Sequence, residues 1–162
     1  MRGGESPTAP YAESFLRHAE AGASSSGVKL TASRFQNDFE IERTIAELAS
    51  APGGGLIVLP DPLTNTRSAL IIGLAAKHRV PALYAWRFQA FGGGLISYGV
   101  DLAESFRASA SYVDRILRGE KPASLPVQAP TKFSLVVNLK TAKTLGLTVP
   151  TAILLRATEV IE

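Results

Sequence analysis

The sequence contains no cysteine, and this excludes disulfides, thiolate metal sites and a cysteine nucleophile together. It also has no apolar run approaching the ~20 residues that a membrane-spanning helix needs. Lysine and arginine are scattered, with no run longer than two, and the formal net charge is only +3. A nucleic-acid partner is therefore not expected. No pattern in the sequence predicts a metal or cofactor site.

The opening residues, "MRGGESPTAPYAE", lack the apolar segment of a signal peptide. The sequence as printed therefore predicts a cytoplasmic location, unless a preceding segment exports the protein. Hydrophobic residues make up 46% and charged residues 19%, which indicates a chain able to bury a core. The length suits one domain, or one domain and part of another.

Helical and apolar segments alternate along the chain. Predicted strands are Val28–Ser33, Leu56–Pro60, Val80–Trp86, Leu95–Gly99 and Lys132–Leu139. Predicted helices begin near Thr8 (with Pro10 in the first turn and an apolar stripe from Tyr11), Asn37, Thr66, Asp101, Leu139 and Val149. Strands separated by helices predict an α/β fold with a doubly wound, mainly parallel sheet.

Gly-Gly-Gly-Leu-Ile occurs twice, at 53–57 and at 92–96. A phosphate-binding loop follows a strand and opens a helix, whereas both triplets precede a strand. No Gly-Lys-Ser/Thr follows either one, and the similarity between the two copies ends at Ile57 and Ile96. The triplets are therefore interpreted as sharp turns into strands, and not as nucleotide loops or halves of a repeat.

Polar and aromatic residues follow three of the predicted strands. Because the carboxyl ends of parallel strands meet at one edge of a sheet, these segments are expected to line one ligand cleft. The candidate ligand-binding residues are Asp61, Asn65, Trp86, Phe88, Ser97, Tyr98 and Gly99. No nucleophile, base and orienting group come together in the pattern, so no catalytic residue is predicted.

The C-terminal half carries a recognisable series of motifs: "GGGLISYG", "YVDRILRG", "KPASLPVQAPTKF" and "VVNLKTAKTLGL". In this order they resemble the ABC-transporter substrate-binding proteins with the type I periplasmic-binding fold. "LIVLPDPL" and "AAKHRVPALY" fit the same pattern. The resemblance implies two α/β lobes around a cleft, a small solute held between them without catalysis, delivery to a membrane permease and a periplasmic location. It also places Asp61, the stretch after Tyr84, and Ser97 to Gly99 at the cleft rim.

Intact members of that family are longer, so the chain is expected to be an incomplete, flavodoxin-like lobe. Residues 1–100 are expected to form most of the second lobe without its opening strand. Residues 101–132, a helix and a proline-rich connector, are expected to belong to the first lobe, and residues 133–162 to form a final crossing strand with C-terminal helices. A missing strand and lobe would leave apolar surface uncovered, which predicts a homodimer or larger assembly.

Two other classes of protein stay open at this point. One is a ligand-sensing regulatory domain, which shares this fold but requires a helix-turn-helix, and none precedes Thr8. The other is an isomerase-type enzyme on the same scaffold, although the members that use paired thiols are excluded by the absence of cysteine.

Overall fold

The computed structural model describes residues 2–5, 12–51 and 53–162, with the backbone alone for residues 2–5 and 12. Within them lies a seven-stranded sheet of order β2-β1-β3-β4-β5-β6-β7. Its strands are β1 (Arg2–Glu5), β2 (Thr31–Arg34), β3 (Leu56–Val58), β4 (Ala82–Tyr84), β5 (Ile96–Val100), β6 (Phe133–Asn138) and β7 (Glu159–Ile161). The helices are α1 (Ala12–Ser25), α2 (Asp38–Ala49), α3 (Pro62–Thr66), α4 (Ser68–Lys77), α5 (Arg87–Phe91), α6 (Leu102–Leu117), α7 (Leu139–Leu145) and α8 (Thr151–Leu154).

The first five strands are all parallel and follow the order 2-1-3-4-5 of doubly wound flavodoxin-like sheets. Strand β6 runs antiparallel to β5, and β7 runs parallel to β6. The predicted mainly parallel α/β fold is therefore confirmed. Strands β6 and β7 consequently begin at the edge where β3, β4 and β5 end.

The expectation that the opening strand is missing was wrong. Arg2–Glu5 pairs with Thr31–Arg34 on one side, and Arg2–Gly4 pairs with Leu56–Val58 on the other. Two glycines and two charged residues have low strand propensity, but pairing on both sides supplies the backbone hydrogen bonds that stabilise the strand. Thr8, Pro10 and Tyr11, expected at the start of the first helix, lie outside the described residues.

Three further elements differ from the sequence-based prediction. The helix predicted from near Thr66 is α4, but a short helix that was not predicted, α3, precedes it, with Arg67 at the junction. The short helix α5 was not predicted. The last predicted helix is only α8, because the chain then extends into β7 and pairs with β6.

The core lies between the strands β3 and β4 and the helices α2 and α4. Helix α2 contributes Ile41, Ile45 and Leu48, and α4 contributes residues such as Ile71 and Leu74. The predicted cap at Asn37 is present, because its side chain accepts a hydrogen bond from the Glu40 amide at 3.0 Å. This core supports the strands whose carboxyl ends carry the predicted site.

Each glycine triplet contains a residue whose backbone favours glycine. Gly53 has φ of +76° and Gly93 has φ of +106°, both in the left-handed region. A Cβ on Gly94 would lie 2.7 Å from the Tyr84 ring, so a side chain there would clash with a buried residue. The triplets are turns, as predicted, and close packing explains part of their length.

Asn138 joins β6 to α7 and is 5% exposed. Its side-chain amide donates to the Ala90 carbonyl at 3.0 Å, and its oxygen accepts from the Thr141 amide at 3.0 Å. We expect Asn138→Ala to lower the free energy of unfolding by about 2 kcal/mol, since a helix cap and a buried hydrogen bond are both lost. Denaturant unfolding measures this effect.

The matched control is Asn37→Ala, which removes an exposed helix cap. That change should cost only about 1 kcal/mol, because water can reach the exposed groups. If the free energy of unfolding fell equally in the two variants, the hydrogen bond from Asn138 to Ala90 would contribute nothing to stability.

Residues 101–132, called the arm here, consist of α6 and the connector that returns to β6. No residue of α6 is buried. The connector is held to α6 by a hydrogen bond from Tyr112 to the Pro126 carbonyl and by an ion pair between Lys132 and Glu104 at 3.0 Å. The hydrogen bond from Lys132 holds the pKa of the Glu104 carboxyl below its usual value. A hollow of about 970 Å³ lies between α6 and the connector.

None of the described helices has the length and hydropathy that crossing a bilayer requires.

Candidate functional site: the rim of the sheet

The rim is defined here as the segments 59–65, 85–91 and 97–101, which lie at the carboxyl ends of β3, β4 and β5. Val58 and Tyr84, the last residues of β3 and β4, are paired with each other, and Tyr84 is paired with Ser97, so Ser97 lies level with this edge and β5 continues beyond it to Val100. Adjacent strands lie about 4.8 Å apart. All seven predicted ligand-binding residues therefore belong to one edge of the sheet.

Asp61 begins helix α3 and is 3% exposed. Its Oδ1 accepts from the Leu63 amide at 2.8 Å, while the Thr64 hydroxyl accepts from the Asp61 amide at 3.2 Å. Pro62 follows at the first helical position, where the absence of an amide hydrogen costs nothing. The other carboxylate oxygen, Oδ2, is buried and has no hydrogen-bond partner.

Asn65 lies four residues after Asp61, which places both on the same side of α3. Its Oδ1 is also buried and unpartnered. Buried polar atoms are nearly always hydrogen-bonded in folded proteins, so each exception needs an explanation. Here two unpaired acceptors come from one short helix at the rim.

Trp86 precedes α5, and its indole Nε1 is a buried donor without a partner. Its position depends on Gln89, a residue that the sequence reasoning missed. Gln89 is 1% exposed; its side-chain oxygen accepts from the Trp86 amide at 3.0 Å, and its nitrogen donates to the Ser68 hydroxyl at 3.1 Å. A glutamine three residues after a helix start is a capping-box signal. Because the sequence analysis predicted no helix at this point, Gln89 was not recognised as a capping residue.

Ser97, Tyr98 and Gly99 lie within β5, and successive side chains point to opposite faces of the sheet. Ser97 is 1% exposed, and its buried Oγ has no partner. Tyr98 is 54% exposed, and its ring stacks on Phe133 with centroids 5.7 Å apart. The structure thus places the Ser97 side chain inside the protein and the Tyr98 side chain on the surface.

Gly99 lies against strand β4. A Cβ at this position would be 2.0 Å from the Ala85 carbonyl oxygen. The absence of a side chain therefore allows β5 to approach the end of β4, which keeps Tyr98 and Trp86 at the same edge. This packing requirement is independent of any ligand.

An open groove of about 660 Å³ continues the rim toward β6 and β7. Trp86 and the half-exposed Phe88 and Phe91 line it. Arg87 forms an ion pair with Glu159 and lies over the Phe91 ring at 5.0 Å. The aromatic surface suits a flat apolar group, because such grooves usually bind ligands through aromatic walls and a few polar atoms.

The rim thus combines hydrogen-bonding atoms without partners and an aromatic groove, with Trp86 part of both. In the described part of the chain, no group of three His, Asp or Glu side chains is placed to hold a metal ion. The arrangement can bind a small molecule through polar contacts and ring stacking.

A sequence model described as "ABC transporter substrate binding protein" matches residues 6–161. No curated protein sequence matches the chain. A solved structure of a conserved domain protein from Vibrio cholerae O1 biovar El Tor is 26% identical, with a TM-score of 0.86 over 98% of this chain and 53% of that one.

Two further solved structures share the fold. An ABC domain from Streptococcus pneumoniae, in complex with L-Trp, is 22% identical with a TM-score of 0.85, over 99% of this chain and 55% of that one. An open, ligand-free substrate binding protein with adhesive properties from Clostridium difficile is 19% identical with a TM-score of 0.72, over 99% of this chain and 53% of that one. This chain spans about half the length of each of the three structures.

Proposed function

The chain belongs to the family of ABC transporter substrate-binding proteins, and from that membership we propose that it binds a small solute at the rim and releases it unchanged. The solute class that we favour is an amino acid or a similar flat molecule. The observation that carries this proposal is the concentration of unpartnered buried polar atoms at the rim, on Asp61, Asn65, Trp86 and Ser97.

Unpaired polar atoms favour binding because a ligand can supply the missing hydrogen bonds. Leaving such a group buried and unpaired costs roughly 1–3 kcal/mol, so the rim gains free energy when a solute pairs with it. Nothing in the described part of the chain combines a nucleophile, a base and an orienting group, which supports binding without turnover.

The aromatic groove supports a flat solute. Trp86 and Phe88 line the groove with aromatic rings, and Tyr98 offers a further half-exposed ring on β5. The similar protein from Streptococcus pneumoniae was solved in complex with L-Trp, an amino acid with a flat side chain.

We further infer that the chain supplies one wall of a two-walled cleft and that the arm packs against the other half of such a molecule. Residues 1–100 and 133–162 would then form this wall, and residues 101–132 would belong to the opposite lobe. The exposed apolar face of α6 supports this division, as does the coverage of about half of each similar structure. Delivery of the solute to a membrane permease outside the cytoplasm is part of the same proposal.

Tyr98→Ala tests the rim directly. We expect solute affinity to fall about 5- to 150-fold, because an aromatic contact worth roughly 1–3 kcal/mol is removed. Isothermal titration of L-tryptophan measures the loss, and chromatography of the recovered solute checks that it is chemically unchanged. The matched control is Tyr98→Phe, which keeps the ring and should keep most of the affinity.

The titration is best made with two proteins: this chain alone, and this chain joined to the half of a longer similar protein that it does not match. The joined form should bind much more tightly, since closure between lobes adds contacts. Equal, tight binding by both forms would contradict the two-walled cleft. Unchanged affinity of Tyr98→Ala in the joined form would contradict the assignment of Tyr98.

A further inference from the structure

The groove beside the rim is open on the side where α6 begins. Leu102 and Ala103 line it from α6, and the half-exposed rings of Phe88 and Phe91 line it from α5. Binding sites usually bury more than about 70% of the surface of a small ligand. A groove with this much exposed ring surface therefore needs a further surface to enclose a solute.

The apolar face of α6 is arranged symmetrically about Ser109. Leu102 lies seven residues before Ser109 and Ile116 seven residues after it, while Phe106 lies three residues before and Val113 four residues after. A helix rises about 1.5 Å per residue, so Leu102 and Ile116 lie roughly 10 Å on either side of Ser109. Two copies of α6 that cross antiparallel at Ser109 therefore bring the end of each helix to the start of the other, beside the groove.

The charges at the two ends of α6 are complementary. At the start, the carboxylates of Asp101 and Glu104 outnumber the single cation, Arg107. The end of the helix and the turn after it carry three cations and two carboxylates: Asp114, Arg115, Arg118, Glu120 and Lys121. An antiparallel pair places a net negative end against a net positive end, whereas a parallel pair would place like charges together. These charges therefore favour a second copy of α6 in the antiparallel arrangement.

Leu117 is the exposed apolar residue at the end of α6 that lies on the side of the groove. It is 82% exposed. At about 100° per residue, Leu117 and Ala103 lie within roughly 40° of each other around the helix. The two-fold axis of an antiparallel pair places this flank of one helix against the same flank of the other. Leu117 of the second copy therefore lies over the part of the groove that Ala103 lines.

From these observations we infer that a second copy of this chain closes the groove, with its Leu117 packed against Ala103 and Phe91 of the first copy. Each copy covers the groove of the other, so the dimer holds two enclosed sites. This inference rests on the proposed function and identifies the second copy as the surface that encloses the solute at the groove. Because the solute then contacts both copies, solute binding and dimer formation strengthen each other.

Cross-linking tests this cover without any solute. The chain contains no cysteine, so Phe91→Cys in one preparation and Leu117→Cys in another each introduce a single thiol at an exposed position. We expect a short bismaleimide to join the two proteins when they are mixed at micromolar concentration. Neither protein should cross-link by itself, because the dimer places the two copies of either residue at opposite ends. In the control mixture, Ser111→Cys replaces Leu117→Cys and should not cross-link, since Ser111 lies on the opposite side of α6.

Phe106→Glu tests the link between the dimer and the solute. Phe106 lies near the centre of the α6 pair and does not line the groove, so its effect on solute affinity must pass through the dimer. We expect L-tryptophan to bind this variant about 5- to 150-fold more weakly than the parent chain, the usual range of coupling between two binding events. Isothermal titration measures the affinity. The matched control is Ser111→Glu, which adds the same charge on the opposite side of α6 and should keep the parent affinity.

The outcomes separate this inference from the proposed function. No cross-link between Phe91→Cys and Leu117→Cys, or equal cross-linking of the Ser111→Cys control, would overturn the cover by a second copy while solute binding stands. Equal affinity of L-tryptophan for the parent chain and for Phe106→Glu would overturn the link between the dimer and the solute. If no amino acid binds to the chain, alone or joined to the unmatched half of a longer similar protein, the proposed function fails. The cross-link then decides by itself whether a second copy covers the groove.

Discussion

Gly99→Ala is expected to destabilise the folded protein by about 3 kcal/mol, near the upper end of what overpacking costs. The added Cβ would lie 2.0 Å from the Ala85 carbonyl oxygen and 3.1 Å from its carbon. Both are backbone atoms, so no side-chain rotation relieves the clash, and β4 and β5 must separate. Folded domains have about 5–15 kcal/mol of stability in total, and urea unfolding will register the loss clearly.

Gly73→Ala is the matched control, because Gly73 lies exposed within α4 and an added Cβ would meet no atom within 4 Å. The same chemical change should there stabilise the protein by roughly 0.5–1 kcal/mol, since alanine favours the helix over glycine. We therefore expect the free energy of unfolding to fall in Gly99→Ala and to rise in Gly73→Ala. A Gly99→Ala protein as stable as the parent would show that β5 does not need its close approach to β4.

Self-association through α6 is the second large effect we expect, with dimers at micromolar concentration. The helix carries an apolar stripe of five residues that are each 40% or more exposed: Leu102, Phe106, Val113, Ile116 and Leu117. The spacing of the first four, with Ser109 between Phe106 and Val113, alternates four and three residues. Such spacing produces a seam on one side of a helix.

This stripe is complementary to itself, which is what a symmetric dimer requires. In an antiparallel pair of α6 helices that cross at Ser109, Leu102 meets the partner's Ile116 and Phe106 meets the partner's Val113. The stripe and its immediate flanks, including Ala103 and Ala110, carry no charge. Two copies can therefore approach closely without repulsion.

Phe106→Glu should weaken the dimer more than a hundredfold, since about 1.5–3 kcal/mol of apolar burial is lost in each copy. The matched control is Ser111→Glu, which places the same charge on the opposite side of α6 and should leave the dimer intact. Light scattering across a dilution series measures both variants. A clean monomer of the parent chain at micromolar concentration would contradict the prediction. Loss of the dimer when the unmatched half of a longer similar protein is joined to the chain would instead identify that half as the partner of α6.

The local pattern of the sequence was enough to predict the main elements of the fold. Asn37 and Asp101 begin helices as expected, because a cap needs only a side-chain oxygen and an amide a few residues away. The continuous apolar run at Leu56 indicated a buried parallel strand, and that strand is β3. The motifs from Gly93 to Leu147 indicated the family that the sequence comparison then showed.

Strand β1 could not be predicted in the same way, because its residues have little strand propensity of their own. Its stability comes from pairing with β2 and β3, which are distant in sequence. Helix α5 and strand β7 were missed for a similar reason: each is held by a partner that lies far along the chain. In α5, Gln89 donates to the Ser68 hydroxyl and Ala90 accepts from Asn138, while β7 pairs with β6.

For the site, the sequence by itself determined which residue types follow which strands, and so which side chains arrive at the rim. Only the tertiary structure decided what those side chains do there. It buries Ser97 and exposes Tyr98, leaves one oxygen of Asp61 without a partner, and requires a glycine at 99. The functional group at a strand end is fixed by the residue type, which the sequence gives directly. Burial, hydrogen-bond partners and free space depend on atoms of other segments, and only the folded chain brings these segments together.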